Sequence, residues 1–343
     1  MRFRTPDYYG DFRCIADQCQ DNCCIGWEID IDEDTAAYYR SVGGDFGERL
    51  RRNISDGCFT LGEDERCPFL NSRNLCDIYT TLGEAHLCQI CTDHPRYYEW
   101  FGDIKEGGVG LCCEAAARLI LSRDMTIVES DITEDPTEPP DLAVFERLSY
   151  DRNVLLQFIA ENDLTEAVQL LLDYAERRQA LIDMDNWDTA DLYHEEIPVN
   201  GPNPEEILSF LCTLEPMSPD WIPRLERIKE VIPTVGDIPK EDYPELRRIA
   251  DYFLFRYYLK AVDDLDVLSR VKLTAICTWV VSMLWRCRRA ETGKCSFEDK
   301  VLDAKSLSKE IEYNEENLDA LLDASYELEC MSTAQLKGLF KKI

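Results

Sequence analysis

Cysteine is the residue type that offers chemistry in this chain, because it is concentrated where packing gives no reason for it. The segment CQDNCCIGW places Cys19, Cys23 and Cys24 close together, and Cys14 lies just upstream. Eleven of the 16 cysteines precede residue 114, namely Cys14, Cys19, Cys23, Cys24, Cys58, Cys67, Cys76, Cys88, Cys91, Cys112 and Cys113. Grouped thiols bind metal, form disulfides or take part in redox chemistry. The scattered cysteines after residue 113 are expected to be ordinary small apolar side chains.

The opening of the chain bears on which of these chemistries applies. The segment MRFRTPDYYGDFRC lacks the apolar core of an export signal. The longest apolar stretch, residues 273–285, is about two-thirds of a membrane span, and we expect it to form a buried helix. We therefore expect a cytoplasmic protein whose thiols stay reduced. Reduced, grouped thiols favour metal or redox chemistry over disulfides.

Three interpretations of the cysteines compete. The first is a set of buried thiols or disulfides, the second is structural zinc, and the third is an iron–sulfur cluster. Zinc commonly takes its four ligands from two C-x2-C pairs, but only Cys88 and Cys91 form such a pair here. Thiolates from irregular loops suit an iron–sulfur cluster. The spacing predicts metal binding in this region and does not decide between zinc and iron–sulfur.

Adjacent cysteines add to this prediction. Cys23 and Cys24 can bind one centre only with a strained backbone, so we expect them to face different ways, and the same holds for Cys112 and Cys113. The number of thiols therefore permits two centres. Radical enzymes that cleave S-adenosylmethionine often carry C-x3-C-x2-C, and that motif is absent because Gly26 stands at its third cysteine position.

The charge of the chain excludes some partners. The sequence has 37 basic and 68 acidic residues, which gives a net charge of −31. A nucleic-acid binder needs a basic face for phosphate contacts, and an anionic membrane surface would repel such a chain. We expect a solvated acidic exterior, with neither nucleic acid nor a membrane as a partner.

The elements that must hold the cysteines are expected to be irregular, within a mainly α fold. We predict a cysteine-rich metal-binding domain with short strands at residues 1–128, an acidic proline-rich linker at residues 129–141 and an α-helical domain at residues 142–343. The linker contains three prolines, which cannot propagate a helix.

Local patterns predict the individual elements. Alternation predicts a short strand at residues 27–34, and residues 97–108 suggest a strand and turn. Residues 112–122 have the composition of a helix. Further helices are predicted by apolar spacing and start signals at residues 141–163, 164–185, 244–264, 268–291 and 306–324.

Several of these strings resemble a known family. The string Cys14-x4-Cys19-x3-Cys23-Cys24-x2-Trp27, preceded by PDYYGDFR, resembles the start of the flagellin lysine-N-methylase (FliB) family. The segment RCPFLNSRNLCDIYTTLGEAHLCQICTDHPR resembles the C-P-F-L segment of that family and its following LG…LC-x2-C…PR run. CCEAAARLIL matches a family cysteine at Cys113, and DYFLFRYYLKAV is similar to a later helix. The cysteine-rich part also resembles a broader group of zinc- or iron-chelating proteins. The chain departs from the family pattern at Thr92, where Arg is usual, and at Glu114, where Pro is usual.

The resemblance implies an enzyme that transfers methyl groups from S-adenosylmethionine to surface lysines of flagellin. It also implies a [4Fe–4S] cluster, with zinc as the alternative metal. The predicted metal ligands are the matched cysteines Cys14, Cys19, Cys23, Cys24, Cys67, Cys76, Cys88, Cys91 and Cys113. No residue is assigned as catalytic or donor-binding. The alternative function is a non-catalytic zinc- or iron-binding module with a helical protein-interaction domain.

Other residues near the cysteines offer weaker signals. His86 and His94 flank Cys88 and Cys91, and either is a ligand, a proton carrier or an ordinary loop histidine. For Arg96 we consider two roles, which are to bind a carboxylate and to cap a helix. The glycines of residues 102–110 are more typical of a turn than of a cofactor loop. Six aromatic residues could either contact a lysine through cation–π interactions or pack in a core, namely Tyr8, Tyr9, Trp27, Tyr97, Tyr98 and Trp100.

Overall fold

The structure is a computed structural model that describes residues 1–20, 22–188 and 197–340, and it confirms the mainly α fold. The strands are β1 (Arg2–Pro6), β2 (Ile54–Ser55), β3 (Cys58–Phe59), β4 (Arg96–Phe101), β5 (Ile104–Val109) and β6 (Ile127–Asp131). The helices of the cysteine-rich region are α1 (Glu33–Ser41), α2 (Gly44–Arg52), α3 (Asp77–Leu82), α4 (Gln89–Asp93) and α5 (Glu114–Ser122). The later helices are α6 (Leu142–Glu161), α7 (Leu164–Asp183), α8 (Pro204–Leu211), α9 (Trp221–Val231), α10 (Tyr243–Tyr257), α11 (Ala261–Asp264), α12 (Leu268–Thr292), α13 (Phe297–Glu312), α14 (Glu315–Glu327) and α15 (Thr333–Leu339).

A small sheet pairs distant parts of the first region. Its strand order is β4-β5-β1-β6, with β1 parallel to β5 and antiparallel to β6. The predicted strand and turn at residues 97–108 are confirmed as the β4–β5 hairpin, which turns at Gly102 with a φ of +67°. Only glycine adopts such a backbone readily, so this glycine serves the turn.

The strand predicted at residues 27–34 is wrong. Asp30 makes only an isolated bridge to Cys58, and α1 begins at Glu33. The Asp32 carboxylate accepts a hydrogen bond from the Thr35 amide at 2.9 Å. An aspartate in this N-cap position stabilises a helix start, and it outweighs the short alternating pattern.

The predicted helices are confirmed with two differences. The segment predicted as one helix at residues 244–264 forms α10 and α11, with a 3-10 turn at Tyr258–Lys260 between them. The segment predicted as one helix at residues 306–324 is divided between α13 and α14 around Tyr313. The Asn314 side chain accepts a hydrogen bond from the Asn317 amide and caps α14, so a new helix starts there. The break leaves Tyr313 at the C-terminal end of α13, beside the cysteine-rich region.

The apolar stretch at residues 273–285 lies inside α12 and is buried, as predicted. The hydroxyl groups of Thr274, Thr278 and Ser282 donate to backbone carbonyls within the same helix, at 3.0, 2.7 and 2.6 Å. These bonds satisfy polar atoms that would otherwise be costly to bury. Among the described residues, no helix is both long and apolar enough to cross a membrane.

Two hydrophobic cores organise the chain. The larger core includes β5, α5 and the helices from α6 onward, and the smaller core lies within residues 29–88. Arg152 of α6 and Glu106 of β5 form a buried ion pair with two bonds of 2.6 Å, which ties the sheet to the later helices. The domain division at residues 129–141 stays a prediction, and residues 189–196 and 341–343 of the predicted helical domain lie outside the described residues.

Candidate metal centre

One cavity of about 720 Å³ collects the predicted ligands. Its walls come from loop residues 12–16, 19 and 22–25, the ends of α3 and α4, the start of α5 and one face of α13. Eight cysteines line it, namely Cys14, Cys19, Cys23, Cys24, Cys76, Cys91, Cys112 and Cys113. The two remaining predicted ligands, Cys67 and Cys88, are buried beside Cys76 and Cys91. The fold therefore brings all nine predicted ligands to one place.

Four of these thiols form what we call the inner group, Cys67, Cys76, Cys88 and Cys91. Cys76 and Cys88 stand at the N-caps of α3 and α4. The C-x2-C spacing at the start of α4 brings the sulfur atoms of Cys88 and Cys91 to 3.3 Å. Cys67 lies in a turn that is closed by a hydrogen bond from the Leu70 amide to its carbonyl, at 3.0 Å. Caps and tight turns thus fix the positions of these sulfur atoms.

The surroundings of the inner group affect its protonation. Burial raises the pKa of Cys67 to about 11, and the backbone amide of Phe69 opposes the rise. Burial also raises the pKa of Cys76, against the backbone amides at the start of α3. The hydrogen bond between the two sulfur atoms lowers the pKa of Cys88 and raises that of Cys91. Amide donors stabilise thiolates, but only a nearby positive charge, such as a metal ion, would keep all four ionised.

We call a second set of thiols, Cys14, Cys19, Cys23 and Cys113, the outer group. Cys113 is the N-cap of α5 and lies beside Cys23 and Cys19. Burial raises the pKa of the Cys113 thiol to about 12. Cys19 follows a short 3-10 helix at Ala16–Gln18, and Cys14 is exposed at the mouth of the same cavity. The outer group therefore joins the N-terminal loop to α5.

The remaining predicted ligand, Cys24, lies between the two groups. Its thiol contacts that of Cys23 and lies beside Cys91. The Cys24 amide donates to the Asn22 side chain at 2.9 Å, and the Cys67 amide donates to the Cys24 carbonyl at the same distance. These bonds fix the turn that carries both neighbouring cysteines.

Basic side chains line the cavity, although the chain as a whole is strongly acidic. Lys305 and Lys309 come from successive turns of α13, and Arg13 and Arg96 come from the cysteine-rich region. Lys305 is only 4% exposed, so it contributes its charge inside the protein. Sequence analysis predicted a helix over the second half of α13 but did not place it at the metal site. The one available signal was the four-residue spacing of Lys305, Lys309 and Tyr313, which places them on one helix face.

The two departures from the family pattern also line this cavity. The Thr92 hydroxyl donates to the Cys88 carbonyl at 3.2 Å. The buried Glu114 carboxylate accepts a hydrogen bond from the Gln20 amide at 2.9 Å and lies 3.6 Å from Arg118. Glu114 therefore holds the N-terminal loop against α5.

The candidate histidines have different surroundings. His94 lines the cavity, where its Nε2 lies 3.3 Å from the Tyr313 hydroxyl and it contacts the Cys23 thiol. His86 stacks on Tyr38, with ring centroids 4.2 Å apart, and does not line the cavity. Of the two, only His94 is placed to act with the thiols.

The aromatic candidates do not gather around the cavity as a lysine slot. Tyr98 and Trp100 instead contact the chain's own Lys105, whose Nζ lies 4.4 and 5.0 Å from their ring centroids. Tyr97 packs beneath Arg256, and Trp27 lies between His94 and Tyr313. Tyr8 is in the larger core and Tyr9 packs against it.

Arg96 is placed at the end of a helix. It donates to the Thr92 carbonyl in the last turn of α4 at 3.3 Å, and its guanidinium lies 5.1 Å from the Phe12 ring centroid. This is the helix-capping alternative of the two that the sequence left open.

Two cysteines of the first region were left out of the predicted ligands. Cys58 lies apart from the cavity, where its thiol donates to the Asp30 carboxylate at 3.1 Å. Cys112 does line the cavity but is buried near Glu312 and Arg256, and burial raises its pKa to about 12. Cys112 and Cys113 therefore have different surroundings, as expected for adjacent cysteines.

The fold and the cavity define a mainly α protein with a thiol-lined site at the junction of its cysteine-rich and helical parts. Comparison with known proteins confirms the resemblance to the flagellin lysine-N-methylase family. The chain is 28% identical to proteins named lysine-N-methylase from Salmonella choleraesuis and Salmonella typhimurium, over 145 residues that make up 38% of this chain and 35% of each relative. It is 25% identical to flagellar biosynthetic protein FliU of Salmonella muenchen, over 44% of this chain and 87% of that protein.

These similarities cover part of each protein. The chain spans about a third of the length of the lysine-N-methylases that it matches. No family model matches the sequence. No solved structure matches it.

Proposed function

We propose that this chain is a protein-lysine N-methyltransferase that acts on surface lysines of flagellin, with S-adenosylmethionine as the donor and a cysteine-bound [4Fe–4S] cluster. One observation carries the proposal: thiols from separate segments converge on a single cavity in a chain similar to proteins named lysine-N-methylase. The cavity volume of about 720 Å³ lies within the usual range for small-molecule sites.

The donor set supports a thiophilic centre. The predicted ligands are all sulfur atoms, and amides at turns and helix starts partly oppose the rise in pKa that burial causes at Cys67, Cys76 and Cys113. The sulfurs are spread around the cavity. Within the described part of the chain, one group of potential ligands has three atoms within 4.8 Å of one another, and it consists of Glu28, Asp30 and Cys58, which lie outside the cavity. In a tetrahedral zinc site, sulfurs lie about 3.8 Å apart. Cys88 and Cys91 are closer than this, at 3.3 Å, but no three cavity thiols of the described residues lie within 4.8 Å of one another. This wider arrangement of the thiols as a set favours a cluster, which would supply electron transfer or a Lewis-acidic iron when bound.

The chain's own residues fit a donor that carries a carboxylate. Lys305 and Lys309 place positive charge in the cavity wall, where charge-assisted hydrogen bonds would hold such a group. Methyl transfer also requires a deprotonated amine held in line with the donor. His94, Glu84 and Glu114 line the cavity, and each has a side chain that could receive that proton.

The glycines of residues 102–110 do not form a second binding site for the methyl donor. Gly107 and Gly108 lie in β5, where added Cβ atoms would meet the rings of Phe3, Tyr97 and Tyr98 at 3.0 Å or less. These two glycines therefore allow close packing inside the β4–β5 hairpin, and of the glycines at residues 102–110 it is Gly102 that forms the predicted turn.

Anaerobic co-expression with the flagellin of the same organism tests the proposal. We expect flagellin peptides to gain whole methyl groups on lysines, as measured by mass spectrometry, when the active chain is present. The matched control is Cys212→Ser, which changes a thiol outside the cavity and should leave methylation intact. If the iron-loaded protein adds no methyl group to any flagellin lysine, the proposed activity is refuted and the non-catalytic metal-binding module becomes the better description.

A further inference from the structure

The predicted ligands divide between the two hydrophobic cores. Cys67 and Cys88 are part of the smaller core, and Cys76 and Cys91 pack against it. Cys113 packs against the larger core instead. The cavity thus lies where the two cores meet, with the inner group and Cys24 on the smaller core and Cys113 on the larger core.

The inner group is closed within its own core. Cys67 and Cys88 are 6% and 1% exposed, and every member comes from a turn or a helix start between residues 67 and 91. This part of the chain has a small apolar core. A metal centre here would supply the cross-links that the small core lacks.

The outer group is open and joins two parts of the chain. Cys14, Cys19 and Cys23 come from the N-terminal loop, and Cys113 comes from α5. Cys14 is exposed, and Cys19 and Cys23 are half-buried. A centre on these four thiols would face the part of the cavity that Lys305 and Tyr313 line.

Two cavity cysteines, Cys24 and Cys112, belong to neither group, so each group has four thiols. Cys24 lies between the groups, in contact with Cys23 and beside Cys91. Cys112 lies beside Glu312 and Arg256, away from the inner group. Four thiolates are the usual complement of an iron–sulfur cluster.

We propose that the chain holds two separate iron–sulfur centres, a closed one on Cys67, Cys76, Cys88 and Cys91 and an open one on Cys14, Cys19, Cys23 and Cys113. The proposal rests on the metal content of the proposed function and is independent of methyl transfer. The inner centre stabilises the smaller core. The outer centre faces the cavity and is the one that a substrate or oxygen reaches first.

Metal analysis of the anaerobically reconstituted full chain tests this division. Cys113→Ser should lose about half of the iron and sulfide of the wild type, since it removes a ligand of one centre of two. Cys88→Ser should lose the other half. Cys58→Ser, which changes a thiol outside the cavity, should lose none. Circular dichroism identifies any variant that fails to fold.

Cys14→Ser provides a second route, because its exposed position makes misfolding of the core an improbable cause of metal loss. It should resemble Cys113→Ser. In air, the wild type should lose its iron in two phases, and Cys113→Ser should show only the slower one.

A folded outer-group variant that loses all of its iron, or none, would overturn the division. A wild type that bleaches in one phase would also overturn it. Two centres without any methylation of flagellin would leave this proposal standing and refute the proposed function.

Discussion

Cys23 and Cys24 are adjacent in the chain and their thiols contact each other, yet the other neighbours of the two thiols differ. Cys23 contacts His94 and lies beside Cys113, whereas Cys24 lies beside Cys91. The following turn passes through Gly26 at a φ of +87°, a backbone that glycine adopts readily. One short turn therefore connects the two groups of thiols.

Metal binding and folding should be coupled in the first region. We predict that Cys19→Ala and Cys88→Ala lower the metal content, and that Cys88→Ala lowers the free energy of unfolding by on the order of 5 kcal/mol, because binding energy is folding energy at a thiolate site. Cys295→Ala should retain all metal and cost about 1 kcal/mol, as a partly buried thiol at the edge of the larger core. Metal analysis and anaerobic denaturation measure both. Loss of metal in Cys295→Ala would contradict the division of the cysteines.

The buried pair of Arg152 and Glu106 should be important for the contact between the sheet and α6. Arg152→Met leaves a buried carboxylate without its partner, and we predict a loss of about 3–5 kcal/mol in the free energy of unfolding. Arg227→Met is the matched control, because Arg227 pairs with Glu230 at the exposed surface, and its effect should not be measurable. Urea denaturation compares the two variants. Equal stability of both would show that the buried pair adds nothing.

Asp251 should make stability depend on pH. Burial, with a further contribution from Asp124, raises its pKa to about 8. The folded state then holds this proton more tightly than the unfolded state, so its contribution is present at low pH and is lost as the pH rises to about 8. The stability of Asp251→Asn relative to the wild type should therefore rise by up to about 1.4 kcal/mol for each pH unit between about pH 4 and 8.

Thermal denaturation at several pH values measures this difference. The exposed Asp263→Asn serves as the control and should follow the wild type throughout. A difference between Asp251→Asn and the wild type that stays constant with pH would contradict the prediction.

Lys309 should affect the electronic properties of a bound cluster. Removing a positive charge from the cavity wall makes it harder to add an electron, so Lys309→Gln should lower the reduction potential by on the order of tens of millivolts. Lys294→Gln removes an exposed lysine elsewhere and should leave the potential unchanged. Anaerobic redox titration measures both. An unchanged potential in Lys309→Gln would mean that α13 does not face the cluster.

Sequence patterns determined the features that depend on near neighbours. The grouping of cysteines before residue 114 pointed to metal binding, and apolar spacing located α6, α7, α10 and α12. The predicted starts of α6 and α7 agree with the caps at Asp141 and Asp163, whereas α13 begins nine residues before its predicted start. Short-range patterns also misled where two of them competed, as at Asp32, where a helix cap outweighed an alternating strand.

Only the tertiary structure decided how the thiols are grouped and what faces them. Lys305 and Tyr313 reach the cavity from nearly two hundred residues beyond Cys113, and β1 pairs with β5 across about a hundred residues. Such contacts depend on how whole elements pack, because burying a shared apolar surface fixes their relative positions. Local sequence patterns do not specify how distant elements pack, so only the folded structure identifies which residues surround the site.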